Sequence, residues 1–335
     1  MRAARLALWL LLAAPGLGGC AQHLVPAGPA VTAPRLEDSA FVMADGYRLP
    51  YRAWAPEGRE EPPWAVVLAL HGMNDSRDAW EEPAPVLAEA GVLVIAPDQR
   101  GFGATASRGF WPGSEALAAD AAQMAAALRA KYPRARLVLM GESMGAGVLL
   151  LAATGPAPPE ADLYVLLSPA IWGRAEMSLP VRAGLALAAG LVPGMTVSGR
   201  AAGRVASDNP EALRRLSRNR LTIRETRFDA VRGVVDLMDA ARAAAARMGT
   251  GVRVPVLVLY GGKDEVIPPG AMRRVWRDMG AGARRAFYPE GYHLLLRDRN
   301  RAVPTADILA WLRRPEAPLP SGAEDRVAEF LAGGR

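Results

Sequence analysis

One serine in the sequence carries the spacing of a catalytic nucleophile. Ser143 lies in the stretch MGESMGA, with Gly141 two positions before it and Gly145 two positions after it. The stretch follows the apolar run RLVLM, which indicates a buried strand, and a helical pattern comes next. A strand that turns sharply into a helix needs small residues on both sides of the turn, and the helix N-terminus then points its amides at the serine oxygen. The pattern therefore predicts a nucleophilic serine at a strand–turn–helix junction.

A serine hydroxyl needs a base to become a good nucleophile, and the chain has three histidines. His23 lies near the N-terminus, and His71 directly follows a strand-like run. His293 lies in PEGYHLLLRD, after the last strand-like run. Where a serine occupies such a turn, the acid and the histidine follow it along the chain. Only His293 lies downstream of Ser143, so we predict that His293 is the base.

The acid that orients this histidine is expected in the segment VLVLYGGKDEVIPP. Asp264 and Glu265 are both candidates, because both lie just after the strand-like run. The spacing G-x-D-x-x-[VI]-P favours Asp264, whereas Glu265 is placed to cap a helix beginning near Pro269. The predicted role of Asp264 is to orient His293 and to stabilise the imidazolium that forms during the reaction.

The negative charge that develops on a substrate oxygen needs backbone N–H donors aimed at it. One donor is the N–H of Met144, the residue after the nucleophile. The second is expected from the loop HGMNDS, where the Met73 N–H follows Gly72 and the missing side chain of Gly72 allows a close approach. His71 is expected to hold this loop by hydrogen bonding rather than to act in catalysis.

The elements that must position these residues alternate between short aliphatic runs and helical patterns. The runs are WAVVLAL, VLVIAP, RLVLM, LYVLLS and VPVLVLY, and they are nearly uninterrupted, as in strands buried on both faces. FVMADGYRLPYRAW predicts a hairpin that turns at Asp45-Gly46, and residues 114–131 and 229–248 predict helices. This alternation predicts a doubly wound α/β sheet.

One segment interrupts the alternation of strands and helices. Residues 171–228 are too long for a simple connection and predict an inserted helical cap. The segment carries ten arginines against four acidic residues, a net charge of +6. Its apolar stretch from Leu185 to Val192 is predicted to line a tunnel for one acyl chain.

Taken together, these motifs resemble those of the α/β-hydrolase superfamily, and within it the monoacylglycerol lipase and lysophospholipase group. The resemblance covers roughly residues 40–315. The residues that carry it are His71-Gly72, the D-x-x-G-x-G turn of Asp98, Gly101 and Gly103, the elbow GESMG, Asp264, and GYH ending at His293. The group commonly has histidine at two positions that hold Glu142 and Phe102 here, and glycine where Ala146 stands. These departures leave the three predicted catalytic residues in place. They weaken the case for predicting one particular substrate from the resemblance.

The resemblance implies an α/β-hydrolase fold with a mostly parallel sheet of about eight strands and a cap, and it implies a serine hydrolase of lipid-like mono-esters. No metal or other cofactor is expected, since the sequence has no His-x-x-x-His pattern. The cap arginines favour lysophospholipids over neutral monoglycerides, because arginine binds phosphate through two parallel hydrogen bonds. The alternative is that these arginines form a solvated helix face.

Two other functions remain open at this point. The first is a peptidase or amidase on the same fold, which the basic cap disfavours because an aminopeptidase needs carboxylates to hold the substrate ammonium group. The second is a non-catalytic binding protein of the cell envelope. The complete set of Ser143, Asp264 and His293 disfavours that second possibility.

The N-terminus predicts export and attachment to a membrane by lipidation. A basic start with Arg2 and Arg5 precedes a short apolar run, and the run is too short to span a bilayer. LGGC, ending at Cys20, resembles the lipobox of bacterial lipoproteins, in which the cysteine is lipidated. Ala21 follows this sole cysteine, and an alanine there favours the outer membrane, facing the periplasm.

Length and composition set the remaining limits. The chain has 335 residues, of which 51% are hydrophobic, enough for a sizeable core. The net charge of +6 is spread along the chain, so a nucleic-acid partner is not expected. The predicted organisation is a signal peptide (1–19), a lipidated cysteine with a flexible tether (20–38), a hydrolase core (39–170 and 229–315), a cap (171–228) and a C-terminal extension (316–335).

Overall fold

The aliphatic runs of the sequence form one central β-sheet. The structure, a computed structural model, describes residues 23–56, 58, 62–199 and 203–333. The strands within these residues are β1 (Arg35–Leu36), β2 (Ala40–Val42), β3 (Arg48–Trp54), β4 (Ala65–Leu70), β5 (Val92–Pro97), β6 (Arg136–Glu142), β7 (Leu163–Leu167), β8 (Thr196–Ser198), β9 (Glu225–Arg227), β10 (Val256–Gly261) and β11 (Ala283–Tyr288).

Nine of these strands form the central sheet, in the order β1-β2-β3-β5-β4-β6-β7-β10-β11. From β5 to β11 in this order all neighbours run parallel, whereas β1, β2 and β3 pair antiparallel and join the sheet at β5. The predicted mostly parallel sheet is thus confirmed. The predicted hairpin is also confirmed, since β2 and β3 pair across a turn in which Gly46 has φ +76°.

The helices lie between the strands, as the alternation predicts. Within the described residues they are α1 (Pro83–Glu89), α2 (Ser114–Lys131), α3 (Met144–Thr154), α4 (Leu179–Leu191), α5 (Pro210–Arg218), α6 (Phe228–Gly251), α7 (Pro269–Asp278), α8 (Ala302–Arg313) and α9 (Val327–Ala332). The helix predicted over 114–131 coincides with α2, and the one predicted over 229–248 lies within α6.

Side chains of the central strands alternate between two hydrophobic layers. In β4, Val66, Leu68 and Leu70 belong to the layer that α2, α3 and α6 cover. Val67 and Ala69 point to the other layer, which α1 and α8 cover. All of β4 is buried, and burial on both faces explains why the run is uniformly aliphatic.

The residues between β7 and α6 contain the segment predicted to be an inserted cap. It contains α4, α5 and a separate antiparallel pair of strands, β8 and β9. On α4, Leu185 packs against Val235 and Met238 of α6, whereas Leu187 and Leu191 are exposed. In the part of the chain that the structure describes, no helix has both the length and the apolarity needed to cross a bilayer.

The N-terminal segment differs from the expectation of a flexible tether. The predicted signal peptide (1–19) and the predicted lipidation site Cys20 lie outside the described residues. From His23 onward the chain is extended, but it lies on the domain: the His23 N–H donates to Asp229 at 3.3 Å, and β1 pairs with β2. An extended backbone leaves its N–H and C=O groups without partners of its own, and here the N–H groups of Val25 and Val31 donate to the carbonyls of Trp111 and Ala44.

The C-terminal segment packs on the end of the sheet. Phe330 of α9 is buried, and its ring centroid lies 4.4 Å from that of Phe287 in a stacked geometry. Tyr260 and Trp276 border the same ring, at centroid distances of 5.4 and 5.2 Å. The extension predicted over 316–335 therefore contributes to the hydrophobic core.

Candidate active site

The predicted nucleophile lies at a sharp turn between β6 and α3. Ser143 has φ +53° and ψ −111°, a strained backbone conformation of a kind that is concentrated at functional sites. A Cβ atom on Gly141 would lie 2.5 Å from the carbonyl carbon of Gly145. A Cβ atom on Gly145 would collide with the carbonyl group of Leu70 in β4. Both positions therefore accept only glycine without a shift of the backbone.

A hydrogen bond joins the predicted acid and the predicted base. Asp264 follows β10 and His293 follows β11, and the two strands are neighbours in the sheet. His293 Nδ1 lies 2.8 Å from Asp264 Oδ2, while Asp264 Oδ1 accepts from the N–H groups of Val266 (2.7 Å) and Ile267 (2.9 Å). A carboxylate partner keeps the proton on Nδ1, so Nε2 is the nitrogen that can accept a proton.

Opposing effects act on the pKa of His293. Burial by itself lowers this pKa, but the charge of Asp264, its hydrogen bond and the charge of Glu142 outweigh burial, although Arg297 acts against them. The net result is a pKa raised above the ordinary value of 6.5. His293 therefore holds a proton more tightly than a histidine in water, which suits the role of base predicted for it.

The alternative acid, Glu265, makes different contacts. Its Oε2 accepts a hydrogen bond from the N–H of Val205 at 2.8 Å, so it holds the cap segment that returns to the core. It does not cap α7, which follows Pro268 without a side-chain cap. Of the two adjacent carboxylates, Asp264 is the partner of His293.

The loop after β4 lies against the nucleophile. A Cβ atom on Gly72 would lie 3.4 Å from Ser143 Cβ, and Met73 lines the same cavity as Ser143. Met144 is the first residue of α3, so its N–H has no acceptor within that helix. The two predicted oxyanion donors, Met73 and Met144, thus lie beside the nucleophile.

His71 supports this loop from the interior of the protein. His71 is fully buried, and its Nε2 accepts from the Gln99 N–H at 3.1 Å. Its proton is therefore on Nδ1, which donates to the Gly72 carbonyl at 2.8 Å. The ring of Phe102 packs edge-on against the His71 ring, at a centroid distance of 5.7 Å. The hydrogen-bonding role predicted for His71 is confirmed.

The D-x-x-G-x-G turn is a structural support for the same loop. Asp98 is fully buried and accepts hydrogen bonds from the N–H groups of Arg77 and Ala104, both at 2.8 Å. The Arg77 guanidinium also pairs with Asp98 at 2.9 Å. Asp98 therefore ties the chain after β5 to the chain after β4.

A cavity of about 540 Å³ lies over Ser143 and His293. Its volume falls within the range of small-molecule binding sites. Most of its walls are apolar, and part of them comes from the cap. The apolar lining residues are Met73, Ala206, Leu213, Leu216, Ile223, Val266 and Leu294. The cavity is therefore suited to an apolar chain next to the serine.

The prediction that the stretch from Leu185 to Val192 lines an acyl tunnel is wrong. On its cap side the cavity is lined by residues in and around β8, α5 and β9, and α4 contributes none of the described lining residues. Leu187 and Leu191 are 61% and 64% exposed, because α4 packs on α6 through its other side. The stretch is apolar on two sides, and the sequence does not indicate which of them is covered.

The cap arginines are mostly engaged away from the cavity. Arg215 pairs with Glu82, and Arg174 pairs with Asp239 at 2.6 Å. Among the described arginines of the cap, Arg224 is the one that lines the cavity, and its guanidinium donates to backbone carbonyl groups. The excess positive charge of the cap is therefore not concentrated along the cavity wall.

A charged cluster beside the nucleophile was not predicted. Arg297 Nη2 lies 2.5 Å from Glu142 Oε1 and 2.7 Å from Asp75 Oδ2, and all three side chains are buried. Asp75 and Glu142 also line the cavity. The available signal in the sequence was Glu142, which stands where the resembling group commonly has histidine, but no local pattern connects it to Arg297.

Comparisons with known proteins agree with this architecture. A family model described as Hydrolase_4, serine aminopeptidase S33, matches residues 61–300. A monoacylglycerol lipase of Mycolicibacterium smegmatis is 26% identical over 285 residues, which cover 84% of this chain and 98% of that protein. A monoglyceride lipase of Mus musculus is 27% identical over 264 residues, which cover 77% of this chain and 84% of that protein.

Solved structures show the same fold. A soluble variant of monoglyceride lipase from Saccharomyces cerevisiae, in complex with a substrate analog, aligns with a TM-score of 0.68 and 20% identity, and the alignment covers 87% of this chain and 98% of that one. A monoacylglycerol lipase of Paleococcus ferrophilus aligns with a TM-score of 0.62 and 21% identity over 79% of this chain and 98% of that one. At these identities the likeness establishes the α/β-hydrolase fold.

Proposed function

The chain belongs to the Hydrolase_4 family, described as serine aminopeptidase S33, and on this basis we propose that it is a serine hydrolase of carboxylic esters. Its catalytic residues are Ser143, His293 and Asp264. The observation that carries the proposal is the largely apolar cavity over Ser143 and His293, with Asp264 bonded to the far side of the imidazole. The substrate class is a lipid-like mono-ester.

In the first half of the proposed reaction, the Ser143 Oγ attacks the ester carbonyl carbon while His293 Nε2 takes the hydroxyl proton. Asp264 stabilises the imidazolium through Nδ1. The carbonyl oxygen becomes an oxyanion and accepts hydrogen bonds from the N–H groups of Met73 and Met144. The bond to the leaving alcohol then breaks, the alcohol takes the proton from His293, and the acyl group remains on Ser143.

In the second half, water replaces the alcohol. The water oxygen attacks the acyl carbon while His293 takes one proton from the water. The same two N–H groups donate hydrogen bonds to the oxyanion that forms again. The bond to Ser143 breaks, and Ser143 recovers its proton from His293. The products are a free carboxylic acid and the regenerated serine.

Within the ester class, the cavity favours a neutral monoglyceride over a lysophospholipid. The charge argument for phosphate required arginines around the substrate, whereas Arg215 and Arg174 pair with carboxylates elsewhere. Arg224 lines the cavity with its guanidinium turned to backbone carbonyls. The names of the lipase relatives point in the same direction.

The name of the family raises the alternative of an aminopeptidase. Such an enzyme needs a carboxylate free to hold the substrate ammonium group. Asp75 and Glu142 line the cavity, but both pair with Arg297, so their charge is already engaged. The third lining carboxylate among the described residues, Glu225, accepts a hydrogen bond from the Thr196 hydroxyl at 2.8 Å. This pairing favours an ester substrate without an ammonium group.

The experiment that tests the proposal compares three substrates on the purified protein: a monoglyceride, a lysophospholipid with the same acyl chain, and an aminoacyl p-nitroanilide. We expect the highest kcat/KM for the monoglyceride and loss of all hydrolysis in Ser143→Ala. Preference for the anilide would overturn the ester proposal. Preference for the lysophospholipid that disappears selectively in Arg224→Gln would overturn only the choice of head group.

A second experiment tests whether the cavity holds the acyl chain. Leu213→Trp and Leu216→Trp fill the cavity from α5, so we expect the preferred acyl chain to become shorter while a short ester is still hydrolysed. Leu187→Trp is the matched control, because Leu187 lies on the exposed side of α4. An unchanged chain-length profile in both cavity variants would place the acyl chain elsewhere.

For the N-terminus we propose lipidation of Cys20 and attachment to the bacterial outer membrane, facing the periplasm. The support is the LGGC sequence after a short apolar run. We expect Cys20→Ser to lose metabolic labelling with a fatty-acid analogue and to leave the membrane fraction. Recovery of the unmodified wild-type protein in the soluble periplasm would contradict this proposal.

A further inference from the structure

Three segments of the proposed active site meet at one buried guanidinium group. Arg297 lies on the segment that begins at His293. Glu142 immediately precedes Ser143 at the end of β6. Asp75 closes the loop after β4, the loop assigned to one of the oxyanion donors. Each segment thus contributes one member to a single charged cluster.

The cluster fixes the loop after β4 through Asp75. The Asp75 side chain accepts a hydrogen bond from the Ser76 N–H at 2.8 Å, and its own N–H donates to the Gly72 carbonyl at 3.3 Å. Its other carboxylate oxygen, Oδ2, lies 2.7 Å from Arg297 Nη2. A change in the position of Arg297 is therefore transmitted to the turn that contacts Ser143.

The same nitrogen of Arg297 also binds the nucleophile turn. Arg297 Nη2 lies 2.5 Å from Glu142 Oε1. Glu142 Oε1 in turn would lie 3.8 Å from a Cβ atom on Gly72, so the carboxylate sits against the loop after β4. One guanidinium nitrogen therefore joins the residue before the nucleophile to the loop opposite it.

The backbone of Arg297 is held as firmly as its side chain. Its N–H donates to the Leu294 carbonyl at 2.8 Å, which forms a turn directly after His293. Its carbonyl accepts from the Asn209 side-chain amide at 3.0 Å, from the segment in which the cap returns to the core. These backbone hydrogen bonds fix the position of Arg297, so its guanidinium can hold the other two segments in place.

The cluster also adds negative charge beside the base. Two carboxylates against one guanidinium leave one net negative charge, with Glu142 favouring protonated His293 and Arg297 opposing it. Among the described residues, Asp264 on the loop after β10 bonds His293, Asp298 accepts from the N–H of the adjacent Tyr292 at 2.8 Å, and Arg224 and Glu225 of the cap line the same cavity. The direction in which Glu142 shifts the pKa of His293 can therefore be tested separately from the effect of Asp264.

We propose that Arg297 is a positioning residue that, through Glu142 and Asp75, holds the nucleophile turn, the loop after β4 and the histidine segment in their catalytic arrangement. Glu142 thereby takes over the place of the histidine common in the resembling group. The inference rests on the proposed function, since it assigns these three segments to one ester-hydrolysing site. Arg297 itself touches no reacting atom and acts through its two partners.

The test uses the full chain and variants that avoid unpaired buried carboxylates. In the triple variant Arg297→Met, Glu142→Gln, Asp75→Asn all three charges are removed together. We expect kcat to fall about 100-fold, with little change in KM, because small displacements of catalytic groups cost that much in rate. Arg297→Lys, in the otherwise native chain, keeps a charge and should retain an intermediate kcat.

The matched control is another buried arginine with two carboxylate partners. Arg100 pairs with Asp45 at 2.7 Å and with Asp120 at 2.8 Å, and it lies outside the cavity. We expect Arg100→Lys to lower the melting temperature without lowering kcat. A kcat loss in the Arg297 variants no greater than in Arg100→Lys would overturn the inference.

Glu142→Gln supplies a readout that a purely structural role would not change. Glutamine keeps an acceptor oxygen for Arg297 but lacks the charge, so the acid limb of the pH profile of kcat/KM should move to lower pH. An unmoved acid limb together with wild-type kcat would contradict the assigned role of Glu142.

The outcome also separates this inference from the proposed function. If the wild-type protein hydrolyses no ester and a fluorophosphonate does not label Ser143, the proposed function itself fails. If the wild type is active, Ser143→Ala is inactive and all Arg297 variants match Arg100→Lys, only the positioning role fails.

Discussion

At the scale of single residues, Asp264 and Glu265 provide an internal comparison. Asp264 bonds His293 at 2.8 Å, whereas the neighbouring carboxylate bonds the N–H of Val205. We expect Asp264→Asn to lower kcat by about 10⁴-fold, because the histidine loses its orienting charge. Glu265→Gln should stay near the wild-type rate, since a glutamine oxygen can still accept from Val205. Single-turnover kinetics with a chromogenic ester measure both; a larger loss in Glu265→Gln would reverse the assignment.

The raised pKa of His293 predicts opposite trends of activity and stability with pH. If His293 is the base, as proposed, it must be neutral to act, so kcat/KM should fall as the pH drops through a value above 6.5. The folded state binds this proton more tightly than the unfolded state, so the stabilisation is complete below pH 6.5 and is lost as pH rises through the folded pKa. Burial raises the pKa of Asp298 to about 6, which adds a loss of stability from pH 4 to pH 6.

Two measurements check these trends. The pH profile of kcat/KM should show an acid limb above pH 6.5, and the melting temperature should decline as the pH rises from 6.5 through that limb. An acid limb below pH 6.5 would mean that Asp264 and Glu142 together do not outweigh the effect of burial on the pKa of His293. A melting temperature that rises over the same interval would contradict the linkage argument.

At the scale of elements, the junction of β6 and α3 depends on two glycines. A Cβ atom on Gly145 would collide with the Leu70 carbonyl of β4, so we expect Gly145→Ala to lower the free energy of unfolding by about 1–3 kcal/mol and to displace Ser143. Gly184 of α4 is the control, since a Cβ atom there meets open space. Gly184→Ala should raise stability by about 0.5–1 kcal/mol. Urea unfolding measures both changes, and equal effects would contradict the steric argument.

The sequence predicted the features that local patterns determine. The aliphatic run of β4 is uniform because both faces of the strand are buried, and the spacing around Ser143 reflects one turn. The sequence-based prediction failed on α4, where Leu185 packs against α6 and Leu187 is exposed. Which side of this apolar helix is buried depends on the element that covers it, and the local sequence does not show that element. The prediction also missed the pair of Arg297 and Glu142, which are 155 positions apart in the chain.

At the scale of the whole molecule, α9 closes the hydrophobic core at one end of the sheet. Phe330 is 1% exposed and contacts three aromatic rings, so we expect Phe330→Ala to cost about 3–5 kcal/mol of unfolding free energy. Glu329→Ala, on the exposed side of the same helix, should change it by less than about 0.5 kcal/mol. Chemical denaturation distinguishes the two. If Phe330→Ala changed the unfolding free energy as little as Glu329→Ala, the C-terminal segment would be dispensable for the fold.

If Cys20 is lipidated as proposed, the contact of His23 with Asp229 would limit how far the protein can move from a membrane. The Asp229 N–H donates to the carbonyl of Pro193, just beyond α4, so the N-terminal segment emerges beside the cap. With Cys20 lipidated as proposed, the three residue steps back from His23 span at most about 11 Å. The enzyme would then search for substrate in two dimensions. Its rate would follow the mole fraction of ester in the lipid layer, and diluting the membranes at constant composition would leave that rate unchanged.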